Sequence, residues 1–256
     1  MVEPQQALER LIAMTRSLAE PERDLVILAE GNTSARIDEE TFWLKASGKS
    51  MVDIDASGFV AMRLTPMLAL LNGERLSDAE TKARFEAARL DPAAGARPSV
   101  EAALHAVALE VAGARFVGHT HPTAVNAILC SRQAEEAYRG RLFPDEIVVC
   151  GPAPVYVPWT DPGLPLAHEV KRRVVSYMEA YGEAPKVILL QNHGLVALGQ
   201  SPEEVEAISA MAVKTARVLL GAYALGGPHP LSAEAAARIH TRPDEAYRRQ
   251  QMGPGR

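Results

Sequence analysis

Two histidines separated by one residue, His119 and His121, carry the strongest chemical signal in the sequence. They lie at the end of residues 115–121, a segment that is predicted to be a β-strand and is followed by Pro122. Side chains two positions apart project from the same face of a strand, so both imidazoles are expected to point the same way. Neutral imidazoles placed side by side can bind a divalent metal ion. The pair indicates a candidate metal site, and the alternative is a surface pair without a ligand.

A zinc site usually takes a third protein ligand from elsewhere and leaves a fourth position for substrate. His193 is the best candidate, because it follows an apolar strand at 186–190 and precedes the turn residue Gly194. His168 is an alternative that spacing leaves open. The helical zinc motif H-E-x-x-H does not begin at His168, since position 172 is an arginine.

Glu101 is the candidate acid or base. It is predicted in the first turn of a helix over 100–111, where the helix dipole favours the ionised carboxylate. The alternative is a carboxylate that only stabilises the helix start, which is the commoner role. His105 follows one turn later on the same face, either as a partner of this group or as a packed histidine.

Two glycine-containing turns, Gly31-Asn32 and Ser47-Gly48, offer backbone N–H groups of the kind that bind anions. Taken alone, each is more simply an ordinary turn. A nucleotide P-loop ending in Ser47-Gly48-Lys49-Ser50 is excluded because its first glycine would fall on Trp43. The sequence also lacks the G-x-G-x-x-G pattern of dinucleotide-binding folds.

The elements that must position these residues alternate between helical and strand patterns, which predicts a mixed sheet with helices on both faces. Predicted strands, the first four forming an antiparallel meander, lie at 34–37, 41–44, 51–54, 59–62, 115–121, 147–150, 186–190 and 195–198. Predicted helices lie at 8–18, 65–90 with a break at 72–73, 100–111, 123–131, 166–181, and from 202 to about 250 with a break at 226–228.

Residues 151–165 are predicted to be a proline-rich crossing, and residues 251–256 a frayed end. The sequence has no internal repeat and no shift of composition that would mark a linker. We therefore expect one domain over residues 1–256.

Composition and charge favour an enzyme of small molecules. Of the 256 residues, 47% are hydrophobic, which is enough for a sizeable core and excludes global disorder. The 27 Lys and Arg against 32 Asp and Glu give a net charge of −5, which disfavours a nucleic-acid partner. No apolar run reaches the roughly 18 residues of a membrane span, so no membrane partner is expected.

The cysteines and the amino-terminal residues predict a cytoplasmic protein. Cys130 and Cys150 are too few for a disulfide framework in a chain of 256 residues, which favours a reducing compartment. The first residues lack the basic and apolar regions of a signal peptide.

Five short motifs, taken together and in their order along the chain, resemble those of one protein family. In order, they are Glu30-Gly31-Asn32-Thr33-Ser34, Lys45-Ala46-Ser47-Gly48, Arg97-Pro98-Ser99-Val100-Glu101, Gly118-His119-Thr120-His121-Pro122 and Gln191-Asn192-His193-Gly194. From about residue 8 to residue 220, the sequence resembles the class II aldolase/adducin amino-terminal domain family, typified by L-fuculose-1-phosphate and L-rhamnulose-1-phosphate aldolases.

The resemblance implies a three-layer α/β/α sandwich around a mixed, largely antiparallel sheet, and usually a homotetramer. It implies a divalent metal, typically zinc with manganese or cobalt also compatible, held at a subunit interface. By motif, the metal ligands would be His119, His121 and His193, and Glu101 the catalytic acid/base. The contacts to a substrate phosphate would come from Gly31, Asn32, Ser47, Gly48 and Ser99.

The implied activity is that of a metal-dependent aldolase acting on a small ketose or ketose 1-phosphate through a metal-stabilised enediolate. Val100 stands where aldolases of the family commonly have a second serine, so one phosphate hydrogen bond is missing. This keeps open a decarboxylase or dehydratase acting on a sugar acid or keto acid. A non-catalytic adducin-like module is a further alternative. The motifs assign no tyrosine as proton donor to the leaving aldehyde.

Overall fold

A seven-stranded mixed sheet forms the centre of the computed structural model, which describes residues 4–73, 76–92 and 95–244. The strands are β1 Asn32–Arg36, β2 Thr41–Lys45, β3 Phe59–Arg63, β4 Phe116–Thr120, β5 Val155–Val157, β6 Val187–Leu190 and β7 Gly194–Gly199. Their spatial order is β3-β2-β1-β4-β7-β6-β5. Neighbouring strands are antiparallel except for the parallel pair β5 and β6.

Helices cover both faces of this sheet, as predicted. In the described residues they are α1 Pro4–Leu18, α2 Leu64–Ala69, α3 Asp78–Ala87, α4 Ala102–Glu110, α5 Thr123–Leu129, α6 Ala134–Ala137, α7 Pro144–Cys150, α8 Leu164–Tyr181, α9 Pro202–Ala224 and α10 Ala233–Thr241. Ser201 caps α9 by accepting a hydrogen bond from the Glu204 N–H, with Pro202 in the first turn. None of the described helices is long and apolar enough to cross a membrane.

Two apolar cores lie on opposite sides of the sheet. Along β7, Val196 and Leu198 pack into the core under α4 and α8, whereas Leu195 and Ala197 face α1, α5 and α9. Because alternate side chains of a strand point to opposite faces, a sheet covered on both sides needs apolar residues at nearly every position. This confirms the three-layer α/β/α architecture.

The register of the central strands defines the edge where the candidate residues meet. β4 lies between β1 and β7, so His119 pairs with Asn32 on one side and Val196 on the other. The turn between β6 and β7 lies at the same edge, since Leu190 pairs with Gly194. The start of β1, the end of β4 and the β6–β7 turn are therefore neighbours.

The strand prediction for residues 147–150 is wrong, because these residues form the end of α7. Pro144, Asp145 and Glu146 occupy its first turn, where a fixed φ and negative charge favour a helix. A four-residue apolar run does not distinguish a strand from a buried helical turn by periodicity.

Two further assignments also change. Residues 51–54 are not a strand, because β2 pairs directly with β3, with Lys45 opposite Phe59. Met51 and Ile54 are buried in the core without strand pairing.

The crossing predicted over 151–165 contains β5, which lies beside β6. The break predicted at 226–228 does separate α9 from α10, while residues 245–250 of the predicted helix and the predicted frayed end lie outside the described residues.

A buried ion pair anchors α7 and gives a stability test. Arg141 donates to Glu146 at 2.7 Å, and their side chains are 5% and 2% exposed. Arg141→Met leaves the Glu146 carboxylate buried without its cation, so we expect urea unfolding to show a loss of about 3–5 kcal/mol. The matched control is Arg139→Met, which breaks an ion pair with Glu136 whose side chains are 69% and 59% exposed. The control should lose less than about 1 kcal/mol, and equal losses for the two variants would contradict the assignment.

Candidate metal centre

The structure brings His119, His121 and His193 together. One ring nitrogen from each lies within 4.8 Å of the others. The Nε2 atoms of His119 and His121 are 3.1 Å apart, close to the roughly 3.3 Å that separates two nitrogens bound to one tetrahedral zinc ion. His168, the alternative third ligand, is an exposed residue of α8 outside this group.

Each histidine is held by a different piece of backbone. His119 is a residue of the buried centre of the sheet, in β4. The N–H of His121 donates to the Leu25 carbonyl at 2.8 Å, which fixes the chain just beyond that strand. His193 closes a tight turn, where its N–H donates to the Leu190 carbonyl at 3.1 Å and Asn192 has a positive φ of 53°.

Gly194 is required for this convergence. A Cβ atom at this position would lie 2.5 Å from the Thr120 carbonyl oxygen and 2.7 Å from Cδ2 of His121. Both distances are shorter than real Cβ contacts, and the first involves backbone that cannot turn away. Only glycine lets the β6–β7 turn approach the end of β4 this closely.

Hydrogen bonds on the outer side of the rings orient two of the imidazoles. His119 Nδ1 lies 3.0 Å from the Leu195 carbonyl, and His121 Nδ1 lies 3.1 Å from Oε2 of Glu30. Since both partners only accept hydrogen bonds, each Nδ1 carries the proton and each Nε2 presents its lone pair to the cluster. The Nδ1 atom of His193 is buried and has no hydrogen-bond partner in the described part of the chain.

Glu101 directs its side chain at the cluster instead of capping its own helix. It precedes α4, makes no side-chain cap and is 6% exposed. Its Oε1 lies 3.3 Å from Nε2 of His193, and its Oε2 lies 3.4 Å from Nε2 of His119. The reading of this residue as a mere helix-start carboxylate is therefore not supported by its contacts.

The protonation states of Glu101, His119 and His193 are compatible with metal binding. Burial by itself would raise the pKa of Glu101, but His119, His193 and a hydrogen bond from Asn32 bring that pKa down to about 2. Burial lowers the pKa of His119 to about 3 and also lowers that of His193, although Glu101 opposes both shifts. At neutral pH His119 and His193 are thus neutral and Glu101 is ionised, the forms in which these groups coordinate metals.

Behind the carboxylate lies a buried hydrogen-bonded chain. Asn32 Nδ2 donates to Oε2 of Glu101 at 2.7 Å, and its Oδ1 contacts Nε2 of His105. The other ring nitrogen of His105, Nδ1, lies 2.6 Å from the Ser34 hydroxyl. Burial lowers the pKa of His105 to about 4, against the effect of Glu101, so this ring is neutral.

The predicted anion-binding residues separate into two places. Gly31, Asn32 and Ser99 lie against the cluster: a Cβ on Gly31 would be 2.8 Å from the His119 carbonyl, and Ser99 accepts a hydrogen bond from Asn32 at 3.3 Å. Ser47 and Gly48 form an exposed turn, which the Ser47 N–H joins to the Arg97 carbonyl at 2.9 Å. Asn32 already uses both amide hydrogens, on Glu101 and Ser99.

Lys45, the first residue of the motif Lys45-Ala46-Ser47-Gly48, is buried. It ends β2, is 2% exposed, and its Nζ lies 3.5 Å from the Ala29 carbonyl. Burial lowers its pKa to about 8, while the negative charge of Glu101 raises it. No feature of the sequence distinguishes this lysine from the exposed lysines that strands commonly carry.

A cleft of about 440 Å³ adjoins His121. Its residues are Asp24, Val26, Ile27, Glu30, His121, Thr123, Asn126, Ala127 and Cys130. Among these described lining residues, Asp24 and Glu30 are carboxylates, and none is an arginine or a lysine. The cleft is therefore unfavourable for an anionic group.

Comparison with known proteins agrees with this architecture. The family model of the Class II Aldolase and Adducin N-terminal domain matches residues 9–220. A curated protein of Bacillus subtilis (strain 168), Uncharacterized oxidoreductase YuxG, is 28% identical over 184 residues, which cover 68% of this chain and 24% of that protein. The chain thus spans about a quarter of the length of that relative.

Solved structures share the fold. The N-terminal class II aldolase domain of a conserved protein from Thermoplasma acidophilum is 23% identical, with a TM-score of 0.66 over 83% of this chain and 93% of that one. An L-fuculose 1-phosphate aldolase is 19% identical, with a TM-score of 0.67 over 91% of this chain and 94% of that one. At these identities the likeness establishes the fold.

The close approach at Gly194 gives a test of the cluster. Gly194→Ala should push the β6–β7 turn away from Thr120 and His121, and so weaken zinc binding about 10-fold or more. Competition with a chromogenic chelator measures the affinity. Gly221→Ala is the matched control, since a Cβ there meets no atom within 4 Å. Equal zinc affinity of the wild type and Gly194→Ala would show that this approach does not position the histidines.

The buried His105 predicts a pH dependence of stability. Between pH 6.5 and about 4 the unfolded chain binds a proton at this histidine that the folded protein does not, so stability falls as the pH falls. From pH 7.5 to 5.0 this group should account for roughly 2 kcal/mol of lost stability. The free energy of unfolding is measured with urea in the presence of a chelator at both pH values. Its decrease from pH 7.5 to 5.0 should be smaller by that amount in His105→Gln than in the wild type. The same loss in both proteins would mean that His105 is not held neutral.

Proposed function

The chain belongs to the class II aldolase and adducin N-terminal domain family, and from the grouping of three imidazoles around one carboxylate we propose that it is a metal-dependent aldolase. The reaction is the cleavage or formation of a carbon–carbon bond in a small ketose or ketose 1-phosphate. We also propose that residues 1–256 form one domain and that the enzyme is a cytoplasmic homotetramer.

His119, His121 and His193 would hold a divalent ion, zinc by preference and manganese or cobalt as alternatives. Two observations support the fit: one ring nitrogen of each histidine lies within 4.8 Å of the others, and the Nδ1 atoms of His119 and His121 contact acceptors outside the cluster, which leaves each Nε2 for the ion. When bound, the ion supplies Lewis-acid stabilisation of the negative charge that develops on the substrate carbonyl oxygen.

Glu101 would move the proton at the reacting carbon. Its Oε1 is buried and accepts no hydrogen bond in the described part of the chain, although it lies at the cluster. In the direction of bond formation this oxygen takes the proton from the carbon beside the carbonyl, and in the direction of cleavage it returns one. Its pKa of about 2 keeps the group ionised before it accepts a proton.

The two ends of the substrate would meet different surroundings. We assign a phosphate or polar end to the turn of Ser47 and Gly48, with Lys45 as the cation next to it in sequence, and to Gly31, Asn32 and Ser99 beside the cluster. The leaving aldehyde would occupy the cleft beside His121, whose carboxylates disfavour an anionic group.

A decarboxylase or dehydratase acting on a sugar acid or keto acid is the second candidate. It is favoured by Val100, an apolar residue that is 62% exposed at the position where family aldolases commonly have a serine. A purely structural, adducin-like role would leave without a purpose the buried Oε1 of Glu101, which lies beside His193 and accepts no hydrogen bond from the described residues.

Substitution of Glu101 by glutamine tests the function. Glu101→Gln should bind zinc in the same stoichiometry as the wild type but exchange the substrate proton with solvent at least ~10²-fold more slowly. Proton exchange is followed by NMR in D₂O with a panel of ketoses, ketose 1-phosphates and keto acids, and metal content by elemental analysis.

The matched control is Glu110→Gln, at the other end of α4, where the carboxylate pairs with Arg36. It should exchange like the wild type. Exchange at the wild-type rate in Glu101→Gln would reject the assigned role. Release of CO₂ in place of an aldehyde would select the second candidate, and absence of bound metal after supplementation would reject both.

A further inference from the structure

We propose that His105 is a positioning residue that acts through Asn32: it fixes which oxygen of Glu101 is tied down and which remains available for proton transfer. This inference rests on the proposed function of Glu101. His105 contacts neither the three clustered histidines nor any atom assigned to substrate, so it acts through another side chain.

Both ring nitrogens of His105 make polar contacts, although the residue is fully buried. Nδ1 lies 2.6 Å from the Ser34 hydroxyl, and Nε2 contacts Oδ1 of Asn32. A histidine present only to fill space has no need of two directed polar partners.

Hydrogen-bond chemistry fixes the tautomer. A side-chain amide oxygen can only accept, so Nε2 of His105 must carry the proton that it donates to Asn32. Nδ1 then has the lone pair and accepts from the Ser34 hydroxyl. Burial lowers the pKa of His105 to about 4, which keeps a second proton off the ring.

The same chemistry fixes the Asn32 amide. If the amide were turned by 180°, its oxygen would face Oε2 of Glu101 at 2.7 Å, and two acceptors would lie in contact. Its NH₂ group would then face the donor of His105. The observed orientation is the one in which every contact joins a donor to an acceptor, and the Nε2–H of His105 satisfies the amide oxygen in that orientation.

The consequence is an unequal pair of carboxylate oxygens. Oε2 of Glu101 accepts from Asn32, whereas Oε1 is buried without a hydrogen-bond partner in the described residues. If His105 lost its donor, Oδ1 of Asn32 would be buried without a partner, and the amide could rotate away from the carboxylate. Glu101 would then lose its fixed direction, while the three clustered histidines would keep their own contacts.

The test compares two substitutions in the zinc-loaded protein. His105→Leu keeps an apolar volume but has no donor, and His105→Gln keeps an N–H donor near the position of Nε2. We expect His105→Leu to lower kcat about 10- to 100-fold with KM changed less than about 2-fold and zinc content unchanged. His105→Gln should recover most of the loss. His229→Leu, at an exposed histidine, is the control and should match the wild type.

A second readout does not require turnover. In ¹⁵N-labelled wild-type protein, NMR should show His105 as the Nε2–H tautomer and the Asn32 side-chain amide protons as slowly exchanging. In His105→Leu, or in Ser34→Ala if the leucine variant does not fold, the Asn32 amide protons should exchange faster. An Nδ1–H tautomer, an Asn32 amide unaffected by these changes, or wild-type kcat in His105→Leu would overturn the proposal.

The two proposals fail in distinguishable ways. If the zinc-loaded wild type exchanges or cleaves no substrate of the panel, the proposed function fails, while the tautomer and amide readouts still decide whether His105 orients Asn32. If the wild type is active and His105→Leu is equally active, the function stands and the positioning role of His105 is rejected.

Discussion

The arrangement of the whole site depends on one constraint: three imidazoles and the Glu101 carboxylate lie in contact in a largely buried position. Such a cluster is costly: Nδ1 of His193 and Oε1 of Glu101 are buried without hydrogen-bond partners in the described residues, and each such atom costs about 1–3 kcal/mol. The sheet register and the glycine at position 194 nevertheless hold the groups within contact. Backbone built around an unfavourable arrangement is characteristic of a functional site.

Two sets of hydrogen bonds fix the orientation of the imidazole rings and of the Glu101 carboxylate. On one side, the Leu195 carbonyl and Glu30 orient the rings of His119 and His121 from behind. On the other side, Asn32 and His105 orient the Glu101 carboxylate. Because these two sets share no residue, a substitution can disturb the orientation of the rings or that of the carboxylate separately.

The layered fold could be predicted from the alternation of helical and strand patterns, and the histidines and Glu101 that the structure brings together could be predicted from the five family motifs. The sequence did not predict α7, whose short apolar run resembles a strand, or β5, whose three residues carry too little pattern to outweigh the surrounding prolines. It also could not predict that Asn32 uses both amide hydrogens on neighbours, or that Lys45 is buried. Those facts depend on long-range packing, which no local spacing encodes.

The position of each residue in the fold also indicates which parts of the site can vary. The histidines and Gly194 are tied to the central strands, so a change there disturbs the sheet itself. Val100 and the Ser47-Gly48 turn are exposed, and substitution there changes the surface of the protein without altering the core. Lys45 falls between these cases, since it is buried on β2 yet electrostatically coupled to Glu101. A change of reaction within this architecture is therefore expected at the exposed turns first, while the cluster and its carboxylate stay the same.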